Sequence, residues 1–159
     1  MFVIVRAEAG VKYMDISIRM ATIGDLPRLL ELYKELQPLD PPVSLAEASA
    51  VWERAAGSGV TYFVAESLGQ VVAACYIAII PNITRGCSPI GFVENVVTAA
   101  KHRRQGIGRK LLEAAVEFAR SQGCYKVALQ SGNKRSDAHL FYEAVGFDGD
   151  SKRAFEIRF

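Results

Sequence analysis

The stretch HRRQGIGRK, residues 102–110, sets Gly106 and Gly108 one residue apart inside a cluster of cations, Lys101, Arg103, Arg104, Arg109 and Lys110, and runs at once into a helical apolar pattern. Strand, glycine-rich turn and helix in that order offer backbone N–H groups to an anion. The first N–H groups of a helix lack internal partners, and the macrodipole adds about half a positive charge there. Glycine at 106 and 108 would keep side chains from holding a bulky anion away, and the flanking cations supply full charges. A diphosphate is the natural guest. A second chemical feature lies just upstream, where FVENVV buries Glu94 in an otherwise apolar strand. An unpaired carboxylate there is costly, so it should be paired, neutral or lining a cleft. Desolvation raises a carboxyl pKa and so suits a general base.

The elements that must position these residues read clearly from the pattern. Ile16–Met20 alternates as a strand, and Thr22 caps a helix over 25–36 with Leu26, Leu29, Leu30 and Tyr33 on one stripe. Three prolines in QPLDPPVSL, residues 37–45, break that helix, and a short second helix follows over 46–56. Residues 61–66 and 71–80 form a hairpin turned at Leu68-Gly69, and 91–98 is a third strand of this group. A helix runs over 107–122 with Ile107, Leu111, Ala115 and Phe118 at helical spacing, stopped by Gly123. A strand over 126–130, a helix over 137–145 ended by Gly146, and a last strand over 154–159 complete the order β-α-α-β-β-β-α-β-α-β. The expected architecture is a mixed α/β (α+β) sheet with helices packed on it.

Bulk properties agree with one domain over 1–159. At 159 residues, 50% hydrophobic and 23% charged, the chain has ordinary globular composition and can bury roughly 70% of its unfolded surface. A net charge of +2 does not argue for nucleic acid. Cys75, Cys87 and Cys124 are odd in number and widely spaced, with no CxxC pair, and the two histidines lie far apart. Neither a disulfide framework nor a metal site is indicated, and a reducing, cytoplasmic setting fits. The longest apolar run, 71–80, is too short to span a bilayer. MFVIVR is no secretory signal, and Met14 opens an alternative start, so residues 1–13 read as a dispensable leader.

Pattern narrows the diphosphate. The nucleotide P-loop needs GxxxxGK[ST], which Gly106 does not complete, and the dinucleotide GxGxxG would need glycine at 111, where leucine stands. What remains is [QR]xxGxG, filled by Arg103, Gly106 and Gly108. Here the chain resembles the GNAT superfamily of N-acetyltransferases, whose acetyl-CoA pyrophosphate loop has that pattern. ENVVTAAKHRRQGIGRKLLEAAVEFA is similar to the family's strand, loop and helix together, and NKRSDAHLFYEAVGF to its second signature. The resemblance runs from about residue 16 to the end.

The resemblance implies a GNAT-like central sheet, acetyl-CoA as cosubstrate without a metal, and direct acetyl transfer to a primary amine. It assigns the backbone of Val96, Val97 and Thr98, on a strand splayed from its neighbour, to pantetheine. It gives the amides of Arg103, Arg104, Gln105, Gly106, Ile107, Gly108 and Arg109 to the pyrophosphate, and Asn133 to the pantetheine arm. Tyr142 matches the family tyrosine that faces the CoA sulfur. A phenol of pKa about 10 can donate a proton to a leaving thiolate. Glu94 lies where several subfamilies place a base, although it could equally anchor a loop or bind the substrate ammonium.

Two other classes compete. A non-catalytic acyl-CoA sensor would need neither Glu94 nor Tyr142, and a nucleic-acid binder would need neither Gly106 nor Gly108. The acceptor, a small-molecule or peptide amine, is not specified. Glu35 and Asp40 could meet a cationic amine, but exposed carboxylates are common. Cys87 has no neighbour in sequence to activate it as a nucleophile. The C-terminal strand leaves room for a homodimer; no nucleic-acid or membrane partner is expected.

Overall fold

Apolar strands, the central one buried on both faces, and 3.6-residue stripes in the helices assemble one mixed sheet with a helical layer on each face. The computed structural model describes residues 15–159, so the leader expected over 1–13 lies outside the described residues. The strands are β1 (Ile16–Met20), β2 (Val60–Ser67), β3 (Gln70–Ile80), β4 (Ile90–Thr98) and β5 (Lys126–Leu129), in the spatial order β1-β2-β3-β4-β5. All neighbours pair antiparallel except β4 and β5, which run parallel. The helices are α1 (Leu26–Leu36), α2 (Leu45–Ala55), α3 (Ile107–Ser121) and α4 (Ser136–Val145).

The sheet separates two cores. One face packs Phe63, Ala65, Val72, Ala73, Cys75, Ile77 and Val93 against the stripe Ile107, Leu111, Leu112, Ala115 and Ala119 of α3. The other packs Val64, Val71, Ala74 and Val97 against Leu26, Leu29 and Leu32 of α1 and Ala48 of α2. Leu32 is fully buried whereas Leu30 and Tyr33 are only partly so; the sheet thus meets α1 slightly rotated from the stripe read in the sequence. Each fully buried leucine contributes about 1.5–3 kcal/mol of transfer free energy.

Local signals explain the element ends. Ser44 caps α2 reciprocally, its Oγ accepting from Glu47 N–H at 3.2 Å while Glu47 Oε2 accepts from Ser44 N–H at 2.9 Å. Thr22 precedes a short 3-10 turn, Ile23–Asp25, that leads into α1, and its N–H donates to Asp25 Oδ2 at 2.8 Å. Asp25 also pairs with Arg19 at 2.7 Å, and Arg19 reaches Glu66 at 3.0 Å. The guanidinium beside Asp25 lowers its carboxyl to about 2.

The last strand expected from sequence is not formed. Residues 154–159 make no sheet ladder, and Phe155, Ile157 and Phe159 are 87%, 83% and 118% exposed. Alternation shows that a segment can present one apolar face; it does not supply the strand edge that would cover that face. The sheet therefore has five described strands, with β5 at its edge.

Candidate active site

The site begins where two strands part. β4 and β5 pair from Ile90↔Lys126 to Val93↔Leu129 and no further, so from Glu94 to Thr98 the β5-facing side of β4 has no strand partner. A bulge sits at the same place. Ala74 pairs with Val97 and Tyr76 with Glu94, leaving one residue of β3 opposite two of β4. Asn95 takes φ 53°, the left-handed region that asparagine tolerates better than most residues. The bulge turns Val96, Val97 and Thr98 away from β5 and opens a slot between the strands.

Thr98 leads through a 3-10 turn, Ala100–His102, into the basic loop. Arg104 at φ 61° and Gly106 at φ 76° are both left-handed, a pattern that curls successive N–H groups inward as an anion nest. Among the described residues the N–H groups of Arg104, Gln105, Gly106, Ile107, Gly108 and Arg109 have no hydrogen-bond partner. The last three are the orphan donors of the first turn of α3. A Cβ on Gly106 would meet nothing within 4 Å, so this glycine serves backbone conformation. A Cβ on Gly108 would come within 3.2 Å of Thr98 Oγ1 and 3.5 Å of the Phe141 ring. Gly108 thus allows α3 to approach β4 and α4 closely.

Side chains of this loop hold the frame. Arg103 Nε donates to Thr98 O at 3.0 Å and Arg109 reaches Ala144 O at the end of α4. Glu35, whose charge could have met an amine, accepts from Ala100 N–H at 2.9 Å and fastens α1 to the entry of the loop. His139 bonds Gly132 O at 3.0 Å and ties α4 to the turn that carries the exposed Asn133. The thiol of Cys75 is pushed up to about 12 by burial; Cys87 is exposed in the β3–β4 loop, and all three thiols are free.

Glu94 and Tyr142 approach the slot from opposite faces. Glu94, opposite Tyr76, projects onto the face covered by α1 and α2, while Tyr142 packs in the cluster on the α3 face. Glu94 is half-buried, and among the described residues no cation lies within 4 Å of it. Desolvation raises its carboxyl, opposed by the Asn95 N–H. Burial likewise raises the Tyr142 phenol; Arg135 works against that, and the charge of Glu94 works with it. The Tyr142 phenol thereby feels the Glu94 charge across the slot.

Among the described residues three buried side-chain polar atoms lack partners: Tyr33 Oη, His102 Nδ1 and Ser131 Oγ. His102 is at the loop entry and Ser131 follows β5. The free N–H donors of the loop and the slot fit acetyl-CoA. Among the described residues no cluster of three or more His, Cys, Asp or Glu is gathered to hold a metal, and no helix is long and apolar enough to cross a membrane.

Sequence reasoning missed an aromatic row on the α1/α2 face. Trp52 of α2 stacks on Tyr62 at 4.7 Å between centroids, Tyr62 lies 5.4 Å from Tyr76, and Tyr76 pairs across to Glu94. Tyr62 and Tyr76 are equally placed about the Leu68-Gly69 turn but for a one-residue bulge. That symmetry was available in the sequence; the position of Trp52 was not.

A parallel crossover from a splayed strand through a loop of free N–H groups, with a phenol and a carboxylate on either side, offers room for a diphosphate-bearing molecule. Comparison with known proteins gives the particular family. Residues 26–147 match the Acetyltransferase (GNAT) family, to which the chain belongs. A solved structure from Agrobacterium tumefaciens str. C58, proposed to be an acetyltransferase, superposes with a TM-score of 0.86 at 44% identity, covering 90% of this chain and 99% of that one. The glucosamine 6-phosphate N-acetyltransferase of Trypanosoma brucei brucei is 35% identical over 136 residues, 84% of this chain and 90% of that protein. An aminoglycoside N(6')-acetyltransferase type 1 of Serratia marcescens is 34% identical over 90 residues, 55% of this chain and 62% of that protein. The chain is an N-acetyltransferase, and its reaction delivers acetyl to an amine.

Proposed function

We propose that this enzyme transfers acetyl from acetyl-CoA directly to a primary amine on an aminated sugar, with Tyr142 as general acid and Glu94 as general base. The observation that carries the reading is the joint arrangement of six consecutive unpartnered N–H groups, 104–109, with the slot between β4 and β5. The loop amides hold the diphosphate, the free edge of β4 at Val96–Thr98 binds the pantetheine arm, and Asn133, exposed in the turn after β5, helps to hold that arm. Acetyl-CoA supplies a thioester whose carbonyl carbon accepts the amine as the C–S bond breaks.

The residues divide the proton work. Glu94, with its raised pKa, takes a proton from the acceptor ammonium, directly or through water, and frees the nitrogen lone pair. Backbone N–H groups of β4 polarise the carbonyl oxygen. Tyr142 stays protonated because burial raises its pKa; it gives that proton to the departing sulfur and regains one from the acylated nitrogen, which sheds its second proton as the amide forms. Placement on opposite faces suits the chemistry, since nucleophile and leaving group occupy opposite ends of the reaction. The acceptor class follows from the two relatives, whose named substrates, glucosamine 6-phosphate and aminoglycosides, both carry amines on sugar rings.

An assay of thiol release from acetyl-CoA with glucosamine 6-phosphate, glucosamine or an aminoglycoside tests this reading. Amine-dependent release with an acetylated sugar as product is expected. Release with none of the aminated sugars, but with a lysine peptide, would replace the acceptor class; the same saturable acetyl-CoA binding with no amine acetylated would favour the sensor.

A further inference from the structure

On the α1/α2 face one row of side chains crosses three strands and ends on the carboxylate. Trp52, Tyr62 and Tyr76 are all half-buried, so each ring keeps an open part, and each touches the next. Tyr62↔Tyr76 and Tyr76↔Glu94 are directly opposed register pairs, which places their side chains side by side. The row has an apolar body, phenolic tips and one negative end. We infer that it is the wall that receives the acceptor, with the ring of an aminated sugar lying along Tyr62 and Trp52 and its ammonium held between Glu94 and the face of Tyr76; this rests on the acetyl-transfer reading above.

Chemistry favours this occupant over others. An ammonium is drawn both to the unpaired carboxylate and to the face of an aromatic ring. A row with a single carboxylate suits a single ammonium beside an uncharged body; a polyamine would need further anions along the wall. A sugar ring offers a C–H face to aromatic rings and hydroxyls at its rim, and the hydroxyl ends of Tyr62 and Tyr76 match that division. Behind the row, Tyr33 Oη is buried without a partner, its acidity suppressed by burial beside Tyr62 and Tyr76. Tyr33, from α1, packs on the core cluster beneath this face.

The test compares two probe amines, glucosamine and ethanolamine, with wild type, Trp52→Leu, Tyr62→Leu and the conservative Trp52→Phe and Tyr62→Phe. Acetyl-CoA affinity is measured by calorimetry and the melting temperature is recorded alongside. The leucine variants should lower the ratio of glucosamine to ethanolamine kcat/KM about tenfold, mostly through glucosamine KM, and leave acetyl-CoA Kd within twofold. The phenylalanine variants should recover most of that ratio. An unchanged ratio, whether or not the variants melt lower, would make the row packing alone and overturn the inference. Wild type that binds acetyl-CoA but prefers ethanolamine would overturn the ring-binding role while leaving acetyl transfer intact. Wild type that binds no acetyl-CoA would remove the underlying reading as well, so the two failures are distinct.

Discussion

Between Thr98 and Arg109 the proposed donor site is one contiguous run of backbone, whereas the proposed acceptor site draws Trp52, Tyr62, Tyr76 and Glu94 from α2, β2, β3 and β4. The donor side recognises a diphosphate with N–H groups whose availability depends on φ angles and on a helix start. Two of its charged side chains brace the loop, Arg103 at Thr98 and Arg109 at Ala144. The acceptor side works through side chains, with a carboxylate and ring faces brought together only by strand register and by the packing of α2. The first arrangement tolerates many residue types outside its glycines, and the second changes its specificity with any one of its members.

The sharpest break between the two sides is at the chemistry they share. Tyr142→Phe removes only the phenolic proton donor, and kcat should fall about 100-fold or more while acetyl-CoA affinity and melting temperature stay close to wild type. Steady-state kinetics beside calorimetry reads both; an unchanged kcat would leave Tyr142 as packing between Phe141 and Phe147.

Glu94→Gln comes next, with kcat/KM at neutral pH down about 10- to 100-fold. The wild-type rate should fall on the acid side, at a pH above the ordinary carboxylate range because burial raises this pKa. The variant should lose that limb. A carboxyl whose pKa is raised by folding binds more protons folded than unfolded, so it costs stability once pH rises above its unfolded value. Glu94→Gln should therefore melt slightly higher than wild type at pH 7, and a lower melting point would contradict the desolvated, unpaired carboxylate.

Glu35→Ala tests how far the two sides are coupled through α1. Loss of the bond to Ala100 N–H, about 1 kcal/mol, should weaken acetyl-CoA about fivefold and leave the acceptor KM alone. An effect confined to the acceptor would return Glu35 to the role of an amine ligand.

The smallest effect belongs to Asp25, which lies outside both sites. Its carboxyl, held near 2 by Arg19, adds stability that is complete above the unfolded value near 3.8 and is lost as pH falls toward 2. Solvent around Arg19 screens the pair, so Asp25→Asn should cost about 1 kcal/mol near neutral pH and flatten the acid unfolding profile, with kinetics unchanged.

The same contrast explains what the sequence disclosed. The donor loop was legible because its information is local: a strand, two glycines, a helix stripe and the boundaries between them, all within 90–121. Glu94 was legible because a charge interrupts an apolar strand. The bulge at Asn95, the register that lines Tyr62 up with Tyr76 and Glu94, and the long reach of Glu35 to Ala100 depend on tertiary placement, which no short window holds. Gly108 shows the limit within a motif, since its close approach to Thr98 and Phe141 is not contained in the spacing. Residues 154–159 show the converse, a strand-like alternation that joins no strand.

The central claim is that 103–109 is a backbone site for the diphosphate of acetyl-CoA, and a calorimetric titration of wild type against Gly106→Glu tests it most directly. Gly106 sits at φ 76° with open space beyond its Cα, so glutamate there strains the loop and sets a carboxylate where the anion should lie. Saturable binding by wild type, weakened 100-fold or more in the variant with the fold retained, is the predicted result. Equal binding by both proteins would contradict the account and move the donor site away from the loop.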